Sequence, residues 1–465
     1  MTRRDISFYR MAAHRCERWD QASTPVPVPL CGREYSQRCG RPGYNRSYRS
    51  YEGKQVRRRL RAIRARFGAM LGADAASVRQ SLFALVVTPL GSLVAGLTLG
   101  AATGQLEALP GLLLLIPAAI GARGNVFAAL GSRLGTAIHT GTFTLTSRVD
   151  SLVGQNVAAA AVLTFGQSLL LALLAKGVAL AFNLQDSIGL ADYVVISILG
   201  GVLASAVVLA ITLALAASSV RFGWDLDNVT APLVSAIGDV ATLPALILAA
   251  ELAEVEVVTP VLSVVLGIAA TVILVAGWES RLALLRTIVR ESLPVLVLAG
   301  VLSLLAGMFL EKRQGTLIGG PALLVLTPAF LSAAGALGSV LSSRLSTKLH
   351  LGLVVPESLP PVEARRDIGI TFVLAVPVFS VAATTSHFGS VVTGIEGPGY
   401  AQMLAAALLG GMLATLISSA VAYYGTIAAF RFGVDPDTYG IPLVCSTLDL
   451  VGAFTLVLAI VILRI

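Results

Sequence analysis

Long apolar runs separated by short polar segments follow one another from about residue 80 to the C-terminus. A membrane-spanning helix needs about 20 apolar residues to cross a hydrocarbon core about 30 Å thick. The pattern therefore predicts an all-α polytopic membrane protein. The composition agrees, because 55% hydrophobic residues, 13% charged residues and a mean hydropathy of +0.82 are not typical of a soluble protein. Five of the runs contain no charged residue at all: 151–175, 193–220, 257–278, 368–386 and 399–430.

The chain contains an internal repeat with an offset of about 210 residues. The segment PAAIGARGNVFAALGSRLGTAIHTG (117–141) aligns without gaps on PAFLSAAGALGSVLSSRLSTKLHLG (328–352). A second segment, RFGWDLDNVTAPLVSAIGD (221–239), aligns in the same way on RFGVDPDTYGIPLVCSTLD (431–449). Chance similarity between apolar helices would not keep arginine, histidine and aspartate residues in register, so we interpret the repeat as a duplication.

Each copy contains five predicted spans, and one further apolar run lies between the copies. A unit of five spans ends on the opposite side of the membrane, so the extra run returns the chain and makes the two copies parallel. We therefore expect about eleven transmembrane helices and a pseudo-two-fold axis along the membrane normal. The predicted domains are a basic, disordered cytoplasmic tail (1–75), the first repeat (76–252), a linking helix with a cytoplasmic loop (253–290) and the second repeat (291–465). The predicted spans lie near 80–101, 109–138, 156–182, 192–220, 230–250, 258–278, 292–310, 317–345, 367–386, 399–430 and 439–463.

The charge distribution predicts the orientation in the membrane. Residues 1–67 hold 17 Lys and Arg against 5 Asp and Glu, whereas the rest of the chain holds 17 against 21. With the N-terminus in the cytoplasm, most basic loop residues lie inside, as the positive-inside rule requires, and Lys312 and Arg313 are the chief exceptions. We expect a multi-pass protein of the cell membrane with a cytoplasmic N-terminus and an extracytoplasmic C-terminus. Nucleic acid or anionic lipid could bind the basic tail, but an orienting tail explains it more simply, and we expect no nucleic-acid partner.

Two aspartates in equivalent predicted spans are the main candidates for a functional site. Asp239 lies about nine residues inside the fifth span, about 14 Å deep, and Asp449 is its counterpart in the second copy. A charge at that depth is expensive unless it is paired, and two facing carboxylates repel unless a proton or a cation lies between them. A hydrated divalent cation resolves this, and Mg²⁺ suits one or two carboxylates plus retained waters. The alternative is that each aspartate, ionised or protonated, caps a broken helix or hydrogen-bonds backbone amides.

Five further residues are weaker candidates for the same ion path. Asn125 offers an amide oxygen near the predicted depth of Asp239, although Ala336 stands at its counterpart, and it could equally bond a neighbouring helix. The remaining four precede the fifth spans at the inner surface, where they could form an acidic vestibule or simply favour a helix N-terminus. They are Asp225, Asp227, Asp435 and Asp437.

These motifs resemble the membrane domain of the MgtE-type magnesium transporters, in particular the two-repeat solute-carrier branch. The resemblance rests on Gly-Asn followed by Ser-Arg-Leu-x-Thr (124–136) and on the Asp-x-Asp-Asn…Gly-Asp segment (225–239), and it covers residues 80–465. It implies transport of Mg²⁺ or a related divalent cation at the repeat interface, with the ion held by Asp239 and Asp449. It also implies that one chain acts as a pseudo-dimer, since single-repeat members form homodimers. Many bacterial members carry cytoplasmic sensor domains upstream, and the basic tail here leaves the gating open.

We weighed two other functional classes. A Na⁺- or H⁺-coupled secondary transporter, either a cation exchanger or a carrier of another small solute, could use the same aspartates as coupling sites. An enzyme is not expected, because the sequence holds neither a His-Glu-x-x-His zinc helix nor a Gly-x-Ser-x-Gly elbow. No cofactor is expected, Mg²⁺ is the expected transported ion, and membrane lipid is the expected surrounding.

Overall fold

The chain is almost wholly helical. The computed structural model describes residues 75–465 except 144–145, 147, 185–186, 223–225, 254–257, 351 and 433–440. Within this part there are thirteen helices and no β-strand: α1 Ala75–Ala101, α2 Thr103–Ala108, α3 Leu112–His139, α4 Leu152–Ala181, α5 Leu190–Phe222, α6 Leu226–Ala253, α7 Val258–Trp278, α8 Ala283–Glu311, α9 Gln314–Gly319, α10 Pro321–His350, α11 Val362–Thr393, α12 Tyr400–Phe432 and α13 Ile441–Leu463.

These helices confirm the predicted membrane architecture. Ten of the described helices are long and apolar enough to cross a membrane, and α1 adds a shorter apolar segment, Thr88–Ala101. Helices satisfy their own backbone hydrogen bonds, which the bilayer interior requires. Each of the eleven predicted spans coincides with one long helix, whereas the short helices α2 and α9, between the first and second span of each copy, were not predicted.

The two repeats are parallel, as the odd number of spans predicted. Equivalent connections of the two copies meet at the same end of the helices: the side chain of Gln314, the first residue of α9, donates a hydrogen bond to the carbonyl of Leu106 in α2. At that end Glu311, the last residue of α8, accepts hydrogen bonds from the backbone N–H groups of Gly111 (2.7 Å) and Leu114 (3.3 Å) at the start of α3. The second repeat thus caps a helix of the first, because a carboxylate suits the positive N-terminal end of a helix.

The first span of each copy packs against the second span of the other copy. Helix α1 lies along α10, and α8 lies along α3. A Cβ atom on Gly96 of α1 would lie 2.2 Å from the carbonyl oxygen of Val325, and one on the equivalent Gly307 of α8 would lie 2.1 Å from that of Leu114. Glycine is needed at both positions because each backbone approaches so closely. The repeats are therefore interlocked at the centre of the molecule.

The linking helix α7 lies outside this core, against α4 and α5 of the first copy. Helix α7 packs closely on α4 at two glycines. Gly277 of α7 lies against Val162, and Gly166 of α4 lies against Leu274 of α7. Most of its other face is exposed, as expected for apolar side chains that face lipid rather than protein. Helix α7 reverses the chain direction between copies and contributes little to the interface between them.

Candidate ion site between the repeats

Asp239 is buried in α6 and is held by side chains from both copies. It is 4% exposed, and the hydroxyl of Ser92 in α1 donates a hydrogen bond to its Oδ2 at 2.5 Å. The hydroxyl of Ser332 in α10 is a second hydrogen-bond partner. Both partners are hydroxyl donors, which suit an ionised carboxylate in an apolar surrounding.

Asp449 occupies the equivalent position in α13 but is less enclosed. The hydroxyl of Ser303 in α8 donates a hydrogen bond to its Oδ2 at 3.2 Å. A Cβ atom on Gly121 of α3 would lie 3.4 Å from Oδ2, and one on Gly335 of α10 would lie 3.9 Å from Oδ1. Asp449 is partly exposed whereas Asp239 is buried, and Gly121 adjoins Asp449 at the position where Asp239 has Ser332.

The surroundings of the two aspartates follow the repeat. Ser92 and Ser303 are 211 positions apart, and so are Gly121 and Ser332. Each aspartate therefore contacts the first span of its own copy and the second span of the other. Both aspartates also adjoin α10, Asp239 at Ser332 and Asp449 at Gly335. The structure places both aspartates at the repeat interface; that they hold a metal ion between them stays a prediction.

Asn125 lies one helical turn from Gly121, about 6 Å along α3. It lines a small cleft whose walls come from both copies, including Arg133 of α3, Ser292 of α8 and Pro442 at the start of α13. The guanidinium of Arg133 lies 3.5 Å from the hydroxyl of Ser292. Pro442 precedes Asp449 by about two helical turns, so the cleft lies about 10 Å along α13 from Asp449, on the side where α13 begins.

The predicted acidic vestibule lies mostly outside the described residues. Asp225, Asp435 and Asp437 are not described, and Asp227 belongs to the first turn of α6 without a described side chain. The vestibule stays a prediction. Among the residues that the structure does describe, no group of three or more His, Cys, Asp and Glu side chains is placed to hold a metal ion.

Sequence reasoning missed one buried charged residue in α3, two positions after Gly121. Arg123 of α3 is 3% exposed, and its guanidinium donates hydrogen bonds to the carbonyl of Ala119 (3.0 Å) and the hydroxyl of Ser168 in α4 (2.8 Å). A Cβ atom on Gly201 of α5 would lie only 2.0 Å from Nη2, so glycine there makes room for the guanidinium. Within the described residues no carboxylate pairs with Arg123.

The missed residues left signals in the sequence. Arg123 is a charge in the middle of the predicted span 109–138, ten residues before the other charge of that span, Arg133. A charge at that depth is typical of an intramembrane polar site. Ser92 and Ser303 share the repeat offset within otherwise apolar first spans. Serine is common in membrane helices, however, and only the fold shows that these two face the aspartates.

Comparison with known proteins gives matches that follow the repeats. The family model MgtE, described as a divalent cation transporter, matches residues 116–249 and 327–459. The chain is 24% identical over 386 residues to human solute carrier family 41 member 2, covering 74% of this chain and 63% of the human protein. It is also 24% identical over 435 residues to solute carrier family 41 member 3 of Rattus norvegicus, covering 88% of this chain and 92% of the rat protein. The chain thus spans less than two thirds of the human relative. No solved structure matches.

Proposed function

Because the chain belongs to the MgtE family of divalent cation transporters, we propose that it carries divalent metal cations, chiefly Mg²⁺, across a membrane along the interface of its two repeats. The observation that supports this proposal is that Asp239 and Asp449 occupy equivalent positions at the interface of the repeats, each bound by a serine of the first span of its own copy. Two carboxylates in an apolar interior repel one another, and a divalent cation between them removes that repulsion.

The chemistry of the ligands favours a hard cation. The groups around the pair are carboxylate and hydroxyl oxygens from Ser92, Ser303 and Ser332. Oxygen ligands suit Mg²⁺, Ca²⁺ and Mn²⁺ better than the softer transition metals. Mg²⁺ dehydrates reluctantly and is usually held by one or two carboxylates together with waters. The proposed substrate is therefore a partly hydrated Mg²⁺ that touches the carboxylates through few direct bonds.

The difference between the two carboxylates supports a direction of approach. Asp239 has hydroxyl partners from both copies and is buried, whereas Asp449 is partly exposed and adjoins Gly121 and Gly335. The cleft that contains Asn125 lies about two helical turns from Asp449, at the start of α13. In our proposal the cation enters by this cleft, meets the amide oxygen of Asn125 and reaches Asp449 before Asp239.

The proposed protein lies in the cell membrane with a defined orientation, and one chain suffices for transport. We propose a cell-membrane protein with the N-terminus in the cytoplasm, because this orientation puts most arginine-rich loops inside. A single chain would form the whole path, since its two copies supply both aspartates. Surrounding lipid would contact α7 and the outer faces of α4 and α5.

The decisive experiment measures Mg²⁺ flux into proteoliposomes that contain the purified chain. Asp239→Asn and Asp449→Asn keep the shape of the side chain and remove its charge. We expect each to lower the initial flux by about tenfold or more, since losing about 1.4 kcal/mol of ion binding changes an equilibrium tenfold. Glu251→Gln is the matched control, because Glu251 is an exposed carboxylate near the end of the same helix as Asp239.

Two results would reject the proposal or redirect it. Flux that stays unchanged in both aspartate variants would exclude the pair as the ion site. The alternative, a Na⁺- or H⁺-coupled transporter that uses the same aspartates for the coupling ion, predicts flux that depends on an imposed Na⁺ or proton gradient. A channel for Mg²⁺ predicts flux that responds to the Mg²⁺ gradient and the membrane potential alone.

A further inference from the structure

A cleft between α9 and the C-terminal turn of α13 has a lining that combines two arginines with apolar side chains. It lies at the end of the membrane-spanning helices where α8 and α13 both finish, far along α13 from Asp449. The side chains that matter here are Arg313, Thr316, Leu317, Val457, Val461 and Arg464.

The two arginines are available to a ligand. Both are exposed, and neither forms an ion pair with a carboxylate of the described residues. The neighbouring acid, Glu311, is engaged by the start of α3. The adjacent Lys312 is directed elsewhere, because its Nζ lies 5.2 Å from the centre of the Phe182 ring. Two guanidinium groups at one cleft can bind phosphate oxygens through several parallel hydrogen bonds.

The basic pair occurs in only one of the two copies. At the repeat offsets, Arg313 corresponds to Ala102 and Arg464 corresponds to Glu254. The pair is thus not a general feature of the repeat. Its member Arg313 is also one of the two basic residues that depart from the positive-inside pattern, which indicates a local reason for positive charge at this end of the helices.

The apolar part of the cleft distinguishes a lipid from a free anion. Val461 is 44% exposed on the membrane-facing end of α13, and Val457 lies one turn deeper in the span. We propose that this cleft binds an anionic phospholipid, with Arg313 and Arg464 on the head-group phosphate and an acyl chain along Val457 and Val461. The hydroxyl of Thr316 is a further donor for the phosphate. Free phosphate would use the arginines but gain nothing from the apolar wall.

The test is a lipid titration of the purified full chain in detergent, followed by native mass spectrometry. Phosphatidylglycerol and phosphatidylcholine with identical acyl chains are compared. A basic residue near an anionic lipid contributes about 1 kcal/mol, or about fivefold in affinity. We therefore expect Arg313→Gln and Arg464→Gln each to weaken the tightest phosphatidylglycerol binding about fivefold, and the double variant about 25-fold, with phosphatidylcholine unchanged.

Lys312→Gln is the matched control, since it removes a positive charge next to Arg313 but outside the cleft. We expect it to bind phosphatidylglycerol like the wild type. Val461→Trp, which keeps both arginines and fills the apolar part of the cleft, should weaken phosphatidylglycerol binding. Equal binding by the wild type and the double arginine variant would overturn the proposal, as would an equal loss in Lys312→Gln. Displacement of the lipid by millimolar inorganic phosphate would also overturn it, because that result defines a site for a free anion.

Discussion

Gly201→Ala should destabilise the protein far more than an ordinary glycine substitution in a membrane helix. The new Cβ atom would lie 2.0 Å from Nη2 of Arg123 and 2.4 Å from the hydroxyl of Ser168. Because Arg123 is 3% exposed, its guanidinium has no route to solvent and must give up its 2.8 Å hydrogen bond to Ser168.

The expected loss of stability in Gly201→Ala is the sum of two contributions. Overpacking a well-packed site costs about 1–3 kcal/mol, and losing a hydrogen bond to a charged group costs about 1.5–3 kcal/mol. Together they predict a loss of about 2.5–6 kcal/mol in the free energy of unfolding. Gly267→Ala in α7 is the control, because a Cβ there meets nothing within 4 Å. Replacing a helical glycine with alanine at such a site should stabilise by about 0.5–1 kcal/mol.

The assay is thermal unfolding in detergent, with Arg123→Met measured alone and combined with Gly201→Ala. If the alanine acts through the guanidinium, the double variant should be more stable than the sum of the two single effects by about 1–3 kcal/mol. Strict additivity would refute the reasoning. So would a Gly201→Ala variant that unfolds at the same temperature as Gly267→Ala.

Three further predictions test other parts of the structure. Gly307→Ala should lower the melting temperature through a loss of about 1–3 kcal/mol, because its Cβ would lie 2.1 Å from a backbone oxygen; an unchanged melting temperature would contradict the close approach of α8 and α3. Lys348→Met should lower the free energy of unfolding by about 3 kcal/mol, because Asp367, 1% exposed, loses the cation that lies 2.7 Å away. Lys348→Arg should retain most of that stability, and equal losses in the two variants, measured by thermal unfolding, would contradict the ion-pair explanation. Gly121→Ser should lower Mg²⁺ flux about tenfold, at about 1.4 kcal/mol per tenfold change, because its Cβ alone would lie 3.3 Å from the Ser303 hydroxyl and 3.4 Å from Oδ2 of Asp449, so the side chain crowds that carboxylate; unchanged flux would contradict approach of the ion from that side.

The sequence was sufficient for the order and direction of the helices. Apolar run lengths predicted every long helix, and the odd number of spans per copy predicted parallel repeats. The crossed packing of α1 on α10 and of α8 on α3 was not predictable, because apolar runs do not specify which neighbour a helix meets. Small residues such as Gly96 and Gly307 mark a close contact without naming its partner.

The candidate site was predictable only in part, for a similar reason. The repeat identified Asp239 and Asp449, since a charge that recurs at the same depth is unusual in an apolar span. Their serine partners come from other spans, so only the fold could connect them. Arg123 was missed because a search for charge in register between copies passes over a residue that is present in one copy alone.

The differences between the copies are concentrated beside the aspartates. Within one turn of α3, Gly121, Arg123 and Asn125 stand where α10 has Ser332, Ala334 and Ala336.

The two copies also differ in the side chain that lies against the glycine of the fourth span. In the first copy the guanidinium of Arg123 lies against Gly201. In the second copy the ring of Phe379 lies against the equivalent Gly411 and packs on Phe330, with ring centres 4.9 Å apart.

A symmetric homodimer cannot carry such differences, because a change on one side appears on both. In a fused duplication the two carboxylates can keep equivalent positions in the helices, while the residues around them differ. Here Asp239 is buried and Asp449 is partly exposed. Hydrated Mg²⁺ needs few direct protein ligands, so an asymmetric surrounding does not conflict with its octahedral shell. The second span is therefore where this chain converts a two-fold arrangement into one with a closed side at Asp239 and an open side at Asp449.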